Sequence, residues 1–349
     1  MQRGFLDRDF ITTREKFLFC VIGGIHPEQR VISYLKYRPK TDGRWGRTTR
    51  YFRTMKNYTI PSLHETLHFI QTNYPQYLYH SPTLNTQISA VPKHCIVQHH
   101  KPEEKLTDLF HHKPLDPLQS SVIKLVSAIS QDTGIPSDQF GVTGSILTDI
   151  HQPSFSDIDL TLYGQKNGWK IRQFFKDTFQ KLPHLFSRHS SLERKQVLIR
   201  WSQRYPLTIE EAEQIYLRRW NYGFYHNTAF SLHPVQTRDE IEHHYTDRQF
   251  HSLRMIEGQA KIVDIEKSLF LPAIYEISNF NSIGNQNPIN VRQIVSYNGL
   301  YNGIFEEGEI IRIRGKLEKV IDKQRQQKYY RILVGSLLAQ GQDYIKPIE

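Results

Sequence analysis

Cysteine is scarce in this sequence: its 349 residues include only Cys20 and Cys95. Both lie among apolar residues of strand-like character, so neither a disulfide framework nor a thiolate metal site is expected. No apolar run approaches the roughly 18 residues that a membrane-spanning helix needs. The first nine residues contain acids and no apolar stretch, which argues against a signal peptide. We therefore expect no membrane partner and a cytoplasmic location.

Acidic residues are outnumbered, and the excess is of lysine and arginine. The chain has 45 basic and 35 acidic residues, which gives a formal net charge of +10. Basic and aromatic residues alternate in residues 34–38 and 44–53. Such interleaving offers phosphate contacts and stacking faces together, although solvated β-strands show it too. The composition favours a polyanionic partner, either nucleic acid or a nucleotide.

Three regions of α+β character are expected along the chain. Residues 1–115 form an N-terminal α+β region, 116–240 a core, and 241–349 a β-rich domain that ends the chain. The predicted elements follow from periodicity and from turn residues. They are strands at 17–22, 31–37, 140–145, 156–163, 228–235, 259–265, 309–314 and 329–334, and helices at 60–70, from 116 onward, near 168–182 and near 208–220. Residues 74–117 are rich in proline and histidine and are expected to be irregular.

The core carries two aspartates that suit a metal site. In the predicted strand 156–163, Asp157 and Asp159 face one way, whereas Ile158 and Leu160 face the other. Two carboxylates at positions i and i+2 of a strand place hard oxygen ligands a few ångströms apart, as Mg²⁺ or Mn²⁺ requires. Such ions can clamp the attacking and leaving oxygens of a phosphoryl displacement.

A glycine-serine turn precedes these aspartates by about a dozen residues. A glycine such as Gly144 lets the backbone approach a phosphate closely. The hydroxyl and the backbone N–H groups around Ser145 are suited to gripping a triphosphate. The two motifs together predict a site that binds a nucleotide with a divalent metal.

This stretch resembles the signature of the DNA polymerase beta-like nucleotidyltransferase superfamily, over residues 118–235. The resemblance implies a nucleotidyltransferase-type mixed sheet with helices, and transfer of a nucleoside monophosphate from a nucleoside triphosphate with divalent metals. Gly144 and Ser145 would bind the phosphates, and Asp157 and Asp159 the metals. The flanks resemble those of uncharacterised archaeal members. The segments concerned are Arg8-Asp-Phe-Ile11, His26-Pro27, Arg314-Gly-Lys-Leu-Glu318 and Tyr344-Ile-Lys-Pro347.

A third carboxylate on a later strand would complete such a site. The predicted strand 228–235 carries no acid. Asp239, just past its end, and Asp264, in a later β-like run, are the candidates, with Asp247 between them. Three alternatives stay open. The chain could be a catalytically inactive nucleotide- or nucleic-acid-binding protein of the same fold, or an interaction protein whose flanking β-domains recruit a partner. The two aspartates could also be exposed strand residues beside an ordinary turn.

The acceptor hydroxyl could belong to RNA, DNA, a protein or a small molecule. The regions on either side of the core help to choose among these acceptors. They are β-rich, basic and aromatic, as in small barrels that bind single strands. The residues concerned are Tyr34, Tyr37, Arg38, Arg44, Trp45 and Arg50 at one end and Arg312, Arg314, Lys316, Lys319 and Arg331 at the other. We therefore expect a nucleic-acid acceptor, RNA before DNA.

Overall fold

The computed structural model describes residues 3–112, 115–284 and 289–348, and the backbone alone at position 180. In these ranges the chain forms seven α-helices and three β-sheets, which confirms the α+β class. It divides into two compact units. One comprises Met1–Lys56, Ser89–His189 and Trp220–Glu242, and the other Asn57–Ile88, Ser190–Arg219 and His243–Glu349.

Seven helices occur among the described residues. They are α1 (Ile60–Asn73), α2 (Pro102–His111), α3 (Pro117–Thr133), α4 (Gly144–Leu147), α5 (Gln165–Lys181), α6 (Ser191–Arg204) and α7 (Ile209–Arg218). At the start of α3, Asp116 and Gln119 form a reciprocal capping box, and Gly134 ends the helix in the left-handed conformation. No helix among the described residues is long and apolar enough to cross a membrane.

The first unit contains an antiparallel sheet built mainly from the N-terminal segment. The strands of this region are β1 (Phe10–Thr13), β2 (Leu18–Val21), β3 (Arg30–Pro39), β4 (Tyr51–Arg53), β5 (Leu78–Ser81), β6 (Thr86–Pro92) and β7 (Ile96–His100). Within the unit the order is β6-β3-β2-β1-β7, with β4 also pairing with β3. The chain passes from the second unit into the first within β6, which begins as the partner of β5.

A second, mixed sheet in the same unit carries the aspartates. Its strands are β8 (Phe140–Thr143), β9 (Ile158–Tyr163), β10 (Phe186–Ser187), β11 (Tyr222–Tyr225) and β12 (Thr228–Val235). Their order is β10-β11-β12-β9-β8, and only the β9–β12 pair is parallel. Alternate residues such as Ile158, Leu160 and Leu232 are fully buried. On the opposite face Thr161 and Tyr163 are buried as well, whereas Asp159 near the start of β9 is partly exposed.

The second unit contains a closed β-barrel, which confirms the expected β-rich C-terminal region. Its strands are β13 (Arg248–Asp264), β14 (Ala273–Ser282), β15 (Val291–Ser296), β16 (Ile310–Asp322), β17 (Gln327–Val334) and β18 (Tyr344–Pro347). The order β13-β14-β15-β17-β16 closes through a β13–β16 pairing, and β18 adds to β16. Ile262, Ile294 and Ile313 fill the interior, and Leu198 of α6 and Ile215 of α7 join the same core.

The structure divides the chain differently from the three predicted regions. The expected boundary near 240 agrees with the break after Glu242, but the boundary near 115 does not separate compact units. Residues 89–112 belong to the same unit as the predicted core region. One contact between them is the hydrogen bond that the Tyr163 hydroxyl donates to Glu103 of α2 at 2.7 Å. The expected irregular stretch 74–117 was wrong, since it contains β5, β6, β7 and α2.

The basic surface expected on the C-terminal barrel is largely engaged within the barrel itself. Glu318 is almost fully buried and lies 2.6 Å from the Lys316 ammonium and 2.7 Å from the Arg331 guanidinium. Arg312 pairs with Glu257. Lys316, Arg331 and Arg312 thus compensate buried or neighbouring carboxylates of the barrel itself.

Candidate functional site

The two aspartates lie together at the start of β9. Asp159 is the second residue of the strand, and the sheet register places it between Thr143 of β8 and Ser231 of β12. The strand begins at Ile158 rather than at Ser156, so Asp157 lies just before it and is exposed. The charge of Asp159, together with the partial loss of water around a carboxylate that protein atoms surround, raises the pKa of Asp157 to about 6. The two carboxylates are therefore close enough to repel each other strongly.

The glycine-serine turn lies directly against this pair. Gly144 follows β8 with a φ of +69°, and a Cβ placed on it would be 2.5 Å from the Asp159 Oδ2 atom. The position therefore excludes a side chain on two grounds, backbone conformation and contact. Ser145 is buried, and its carbonyl accepts hydrogen bonds from the backbone N–H of Ile150 at 3.0 Å and of His151 at 3.2 Å. These bonds anchor the loop that leads to Asp157.

Strand β12 contributes a hydroxyl and an imidazole that were not predicted. The Ser231 hydroxyl donates to Asp159 Oδ1 at 2.5 Å, and His233 Nε2 lies 2.9 Å from the same hydroxyl oxygen. Because Ser231 directs its proton to Asp159, the His233 Nε2–H is the donor to Ser231. Burial and the charge of Arg8 lower the pKa of His233 to about 4, so the ring is neutral at pH 7.

Two cations from the first sheet, Lys36 of β3 and Arg53 of β4, act on the charges of the pair. Burial would raise the pKa of Asp159, but the nearby His233 ring, the charge of Lys36 and the hydrogen bond from Ser231 hold that pKa well below its usual range. The charges of Lys36 and Arg53 also oppose the rise in the pKa of Asp157. Lys36 is a buried residue of β3, with its ammonium 5.3 Å from the Phe10 ring centroid. The N-terminal strands thus supply the positive charge that offsets the two carboxylates.

Asp239, the candidate third carboxylate within the same unit, is not brought to the pair. Asp239 lies in the short turn Arg238–Glu240, beyond the far end of β12. Val235 is four residues past Ser231, which corresponds to about 13 Å along the strand, and Asp239 comes later still. Asp247 and Asp264 belong to the second unit, where they accept hydrogen bonds from the backbone N–H of His244 and of Glu266. The position that faces Asp159 on β12 is Ser231.

The donor set suits a hard divalent cation better than a soft one. Two carboxylates stand together, and the His233 Nε2 atom lies 3.9 Å from Asp159 Oδ1. In the described part of the chain, no cluster of three or more His, Cys, Asp or Glu side chains has metal-binding geometry. Mg²⁺ is often held by only one or two carboxylates together with water and phosphate oxygens, so Asp157 and Asp159 fit that arrangement.

Sequence reasoning missed Lys36, Ser231 and His233. Lys36 has a local signal, since a lysine in the middle of an apolar and aromatic strand has to be buried with a compensating charge. Ser231 and His233 alternate along β12 and so share a face, but only the pairing of β12 with β9 shows what that face meets.

Comparisons with known proteins provide one relative and no assigned activity. The chain is similar to "Uncharacterized protein MJ1086" of Methanocaldococcus jannaschii, with 29% identity over 344 residues, which are 97% of this chain and 98% of that protein. No protein-family model matches the chain, and no solved structure matches it significantly. Because the similarity spans nearly the whole chain, both units have counterparts in that relative.

Proposed function

We propose that this protein is a nucleotidyltransferase of the polymerase beta-like type, which transfers a nucleoside monophosphate from a nucleoside triphosphate to a hydroxyl acceptor. One observation carries the proposal: the Asp159 carboxylate lies against the side-chain-free Gly144, with Asp157 beside it. This arrangement places a metal-binding pair next to backbone that a phosphate can approach. The sheet that holds it is mixed, with β9 and β12 parallel.

Each residue of the site has a role in this proposal. Asp157 and Asp159 would hold Mg²⁺ or Mn²⁺, which when bound neutralises charge on the phosphate oxygens. Gly144 and Ser145 would contact the triphosphate. In the reaction, the acceptor oxygen forms a bond to the α-phosphorus, the α–β phosphoanhydride bond breaks, and pyrophosphate leaves as the hydroxyl loses its proton. Ser231 and His233 keep Asp159 ionised and oriented, and Lys36 offsets the charge of the pair.

The barrel of the second unit supports a nucleic-acid acceptor. Its order β13-β14-β15-β17-β16, with β15 and β17 parallel and β13 and β16 closing antiparallel, is the connectivity of the OB barrel. Such barrels bind oligonucleotides or oligosaccharides on the face of their second and third strands. Fold alone does not assign function, so this observation supports the choice of acceptor rather than the reaction. A cytoplasmic location belongs to the same proposal, since Cys20 and Cys95 are both unpaired.

A second candidate function is favoured by a specific feature of β12. Among the described residues of that strand none is acidic, and Ser231 occupies the place opposite Asp159. A site with two carboxylates and no third could bind a metal–nucleotide complex without turning it over. The second candidate is therefore a nucleotide- or nucleic-acid-binding protein of the same fold.

A label-transfer experiment separates the two functions. The protein is incubated with each α-labelled nucleoside triphosphate, Mg²⁺ or Mn²⁺, and total cellular RNA, and label in the RNA is measured. We expect transfer by the wild type and a loss of at least about 100-fold in Asp157→Ala and in Asp159→Asn, because each removes a metal ligand. Asp177→Ala is the matched control, since Asp177 is an exposed acid of α5 that pairs with Lys181 one helical turn away.

Metal binding is measured separately from activity. Titration of Mn²⁺ by electron paramagnetic resonance should show a site in the wild type that Asp159→Asn weakens and Asp177→Ala leaves unchanged. If the wild type binds Mn²⁺ and nucleotide but transfers no label from any triphosphate, the transferase fails and the binding function replaces it. If Asp159→Asn leaves Mn²⁺ binding unchanged, the metal does not bind at the acidic pair, and this contradicts both candidate functions.

A further inference from the structure

An aromatic side chain stands exposed immediately beside the acidic pair. Phe155 is 44% exposed and precedes the exposed Asp157 by two residues. Large apolar side chains at such exposure need a reason when they lie within a polar site. The proposed roles of Gly144, Ser145, Asp157 and Asp159 make no use of this ring.

The ring belongs to a composite surface with the loop between β3 and β4. The Arg44 guanidinium carbon lies 4.8 Å from the Phe155 ring centroid, and Trp45 meets the ring edge-on with centroids 5.8 Å apart. Arg44 is itself exposed, and Trp45 is half-buried against Tyr37. An exposed ring and a guanidinium plane are the two kinds of group on which nucleobases stack.

Hydrogen bonds fix this surface to the site. The Gly46 backbone N–H donates to the Ile150 carbonyl at 2.7 Å, and the Gln152 side-chain amide donates to the Gly46 carbonyl at 2.9 Å. The backbone N–H groups of Phe155 and Ser156 both donate to the Gln152 carbonyl. The ring is therefore held in place by both segments, as a stacking surface has to be.

The charge around the ring matches a polyanion. Residues 38–53 contain six arginines or lysines and one acid. Arg44, Arg47 and Arg50 are all exposed, although Arg47 also lies 3.9 Å from Asp116. The triphosphate has its own place in the proposed function, at Gly144 and Ser145. Several exposed cations in the loop that contacts the ring suit successive phosphates of a strand better than a single nucleotide.

We propose that Phe155 and Arg44 form the surface on which a single-stranded nucleic acid, the acceptor, stacks a base beside Asp157. This inference rests on the proposed function for calling the strand an acceptor. The binding itself requires neither metal nor catalysis. Stacking on a ring tolerates any base, so the site selects single strands rather than a sequence.

Binding of the full-length protein to a dye-labelled single strand of about ten nucleotides is followed by fluorescence anisotropy in EDTA. We expect Phe155→Leu to weaken binding about ten-fold, since it keeps the apolar contact with Arg44 and Trp45 but removes the stacking face. Phe155→Tyr should restore binding. Tyr58→Ala is the matched control, because Tyr58 is an aromatic residue of the same exposure, 44%, outside the segments 38–53 and 150–157 that form this surface. Arg44→Ala should weaken binding and reduce the slope of log K against log salt by about one.

The outcomes separate this inference from the proposed function. Equal affinities of the wild type and Phe155→Leu for the single strand overturn the inference, whatever the label-transfer assay shows. If Phe155→Leu weakens the binding of a labelled triphosphate but not of the strand, the ring serves the donor base and the inference also fails. Loss of strand binding in Phe155→Leu, with Mn²⁺ binding intact, supports the surface even if no transfer occurs.

Discussion

At Gly144, the backbone conformation and a neighbouring carboxylate both exclude a side chain. The left-handed φ of +69° disfavours any side chain, and the Asp159 carboxylate fills the space that a Cβ would need. A glycine chosen only for its turn would leave open space beside it, as Gly308 does at φ +87°. The contact with Asp159 therefore ties this glycine to the site as well as to the turn.

The substitution Gly144→Ala tests that link against Gly308→Ala. We expect Gly308→Ala to cost about 1 kcal/mol of unfolding free energy, because only the left-handed conformation is penalised. Gly144→Ala should cost at least ~2 kcal/mol, since the new methyl group also displaces the Asp159 carboxylate. Urea denaturation gives both values, and a Mn²⁺ titration should show weaker binding for Gly144→Ala alone. Equal costs and equal Mn²⁺ affinities in the two variants would contradict the role assigned to this contact.

Residues 3–9, which precede β1, link the first sheet to the site. Arg3 bridges Asp9 and Glu103, and the Asp7 carboxylate accepts the Gly23 backbone N–H. The Thr143 hydroxyl donates to the Arg8 carbonyl at 2.7 Å, one residue before Gly144. Anything that loosens this segment should therefore also disturb the glycine-serine turn.

His26 holds this segment in a way that depends on pH. Its Nδ1 accepts the Ile32 backbone N–H at 3.2 Å, and its Nε2–H donates to the Phe5 carbonyl at 3.2 Å, so the ring is neutral. Burial lowers the pKa of His26 to about 4. The charge of Asp9 opposes this decrease, whereas the charges of Lys93 and Arg238 add to it. The folded protein thus binds fewer protons here than the unfolded chain, in which a histidine has a pKa of about 6.5. Its contribution to stability is complete above that pH and is lost as the pH falls towards 4.

The variant His26→Gln isolates this contribution, because an amide can donate and accept without titrating. Between pH 7 and pH 5 we expect the wild type to lose about 2 kcal/mol more unfolding free energy than the variant. Chemical denaturation at half-unit pH intervals measures the difference. Parallel pH profiles for the two proteins would show that protonation of His26 is not coupled to folding.

Elements with a long, regular pattern were predictable, and those defined by distant partners were not. The helical spacing of Leu118, Val122 and Leu125 predicted α3, and strict alternation predicted β9 to within two residues. Helix α2 was missed although Pro102 at its start, with Glu103 and Glu104 in the first turn, is a helix signal. Strand β14 was missed although its buried residues Ala273, Tyr275 and Ile277 alternate with more exposed ones, and β15 was missed with it.

The candidate site shows the same division. Gly144, Ser145, Asp157 and Asp159 are close in sequence, so local spacing was enough to group them. Lys36 and His233 reach the pair through separate segments, more than 100 residues before Asp157 in one case and 74 after Asp159 in the other. Their approach depends on how the sheets assemble, and no local pattern encodes it. For the same reason the sequence offered Asp239 as a third carboxylate, although β12 directs it away from the pair.

At the scale of the whole molecule, the chain forms two cores from interleaved segments. Ile129 of α3 is fully buried in the first unit, and Ile215 of α7 is fully buried with the barrel interior in the second. Each unit is large enough to unfold cooperatively by itself. We therefore expect the two isoleucines to report on separate transitions, even though both helices precede the barrel in sequence.

Calorimetry of Ile129→Ala and Ile215→Ala tests this division with a matched pair. Each variant removes the same three carbons from a fully buried site, so each should cost about 3 kcal/mol and lower one transition by roughly 5–10 °C. Because the acidic pair belongs to the first unit, Mn²⁺ should raise the transition that Ile129→Ala lowers and leave the other in place. If both variants lower a single common transition by the same amount, the two units fold as one cooperative block, and the boundaries after Lys56, Ile88, His189, Arg219 and Glu242 have no thermodynamic meaning.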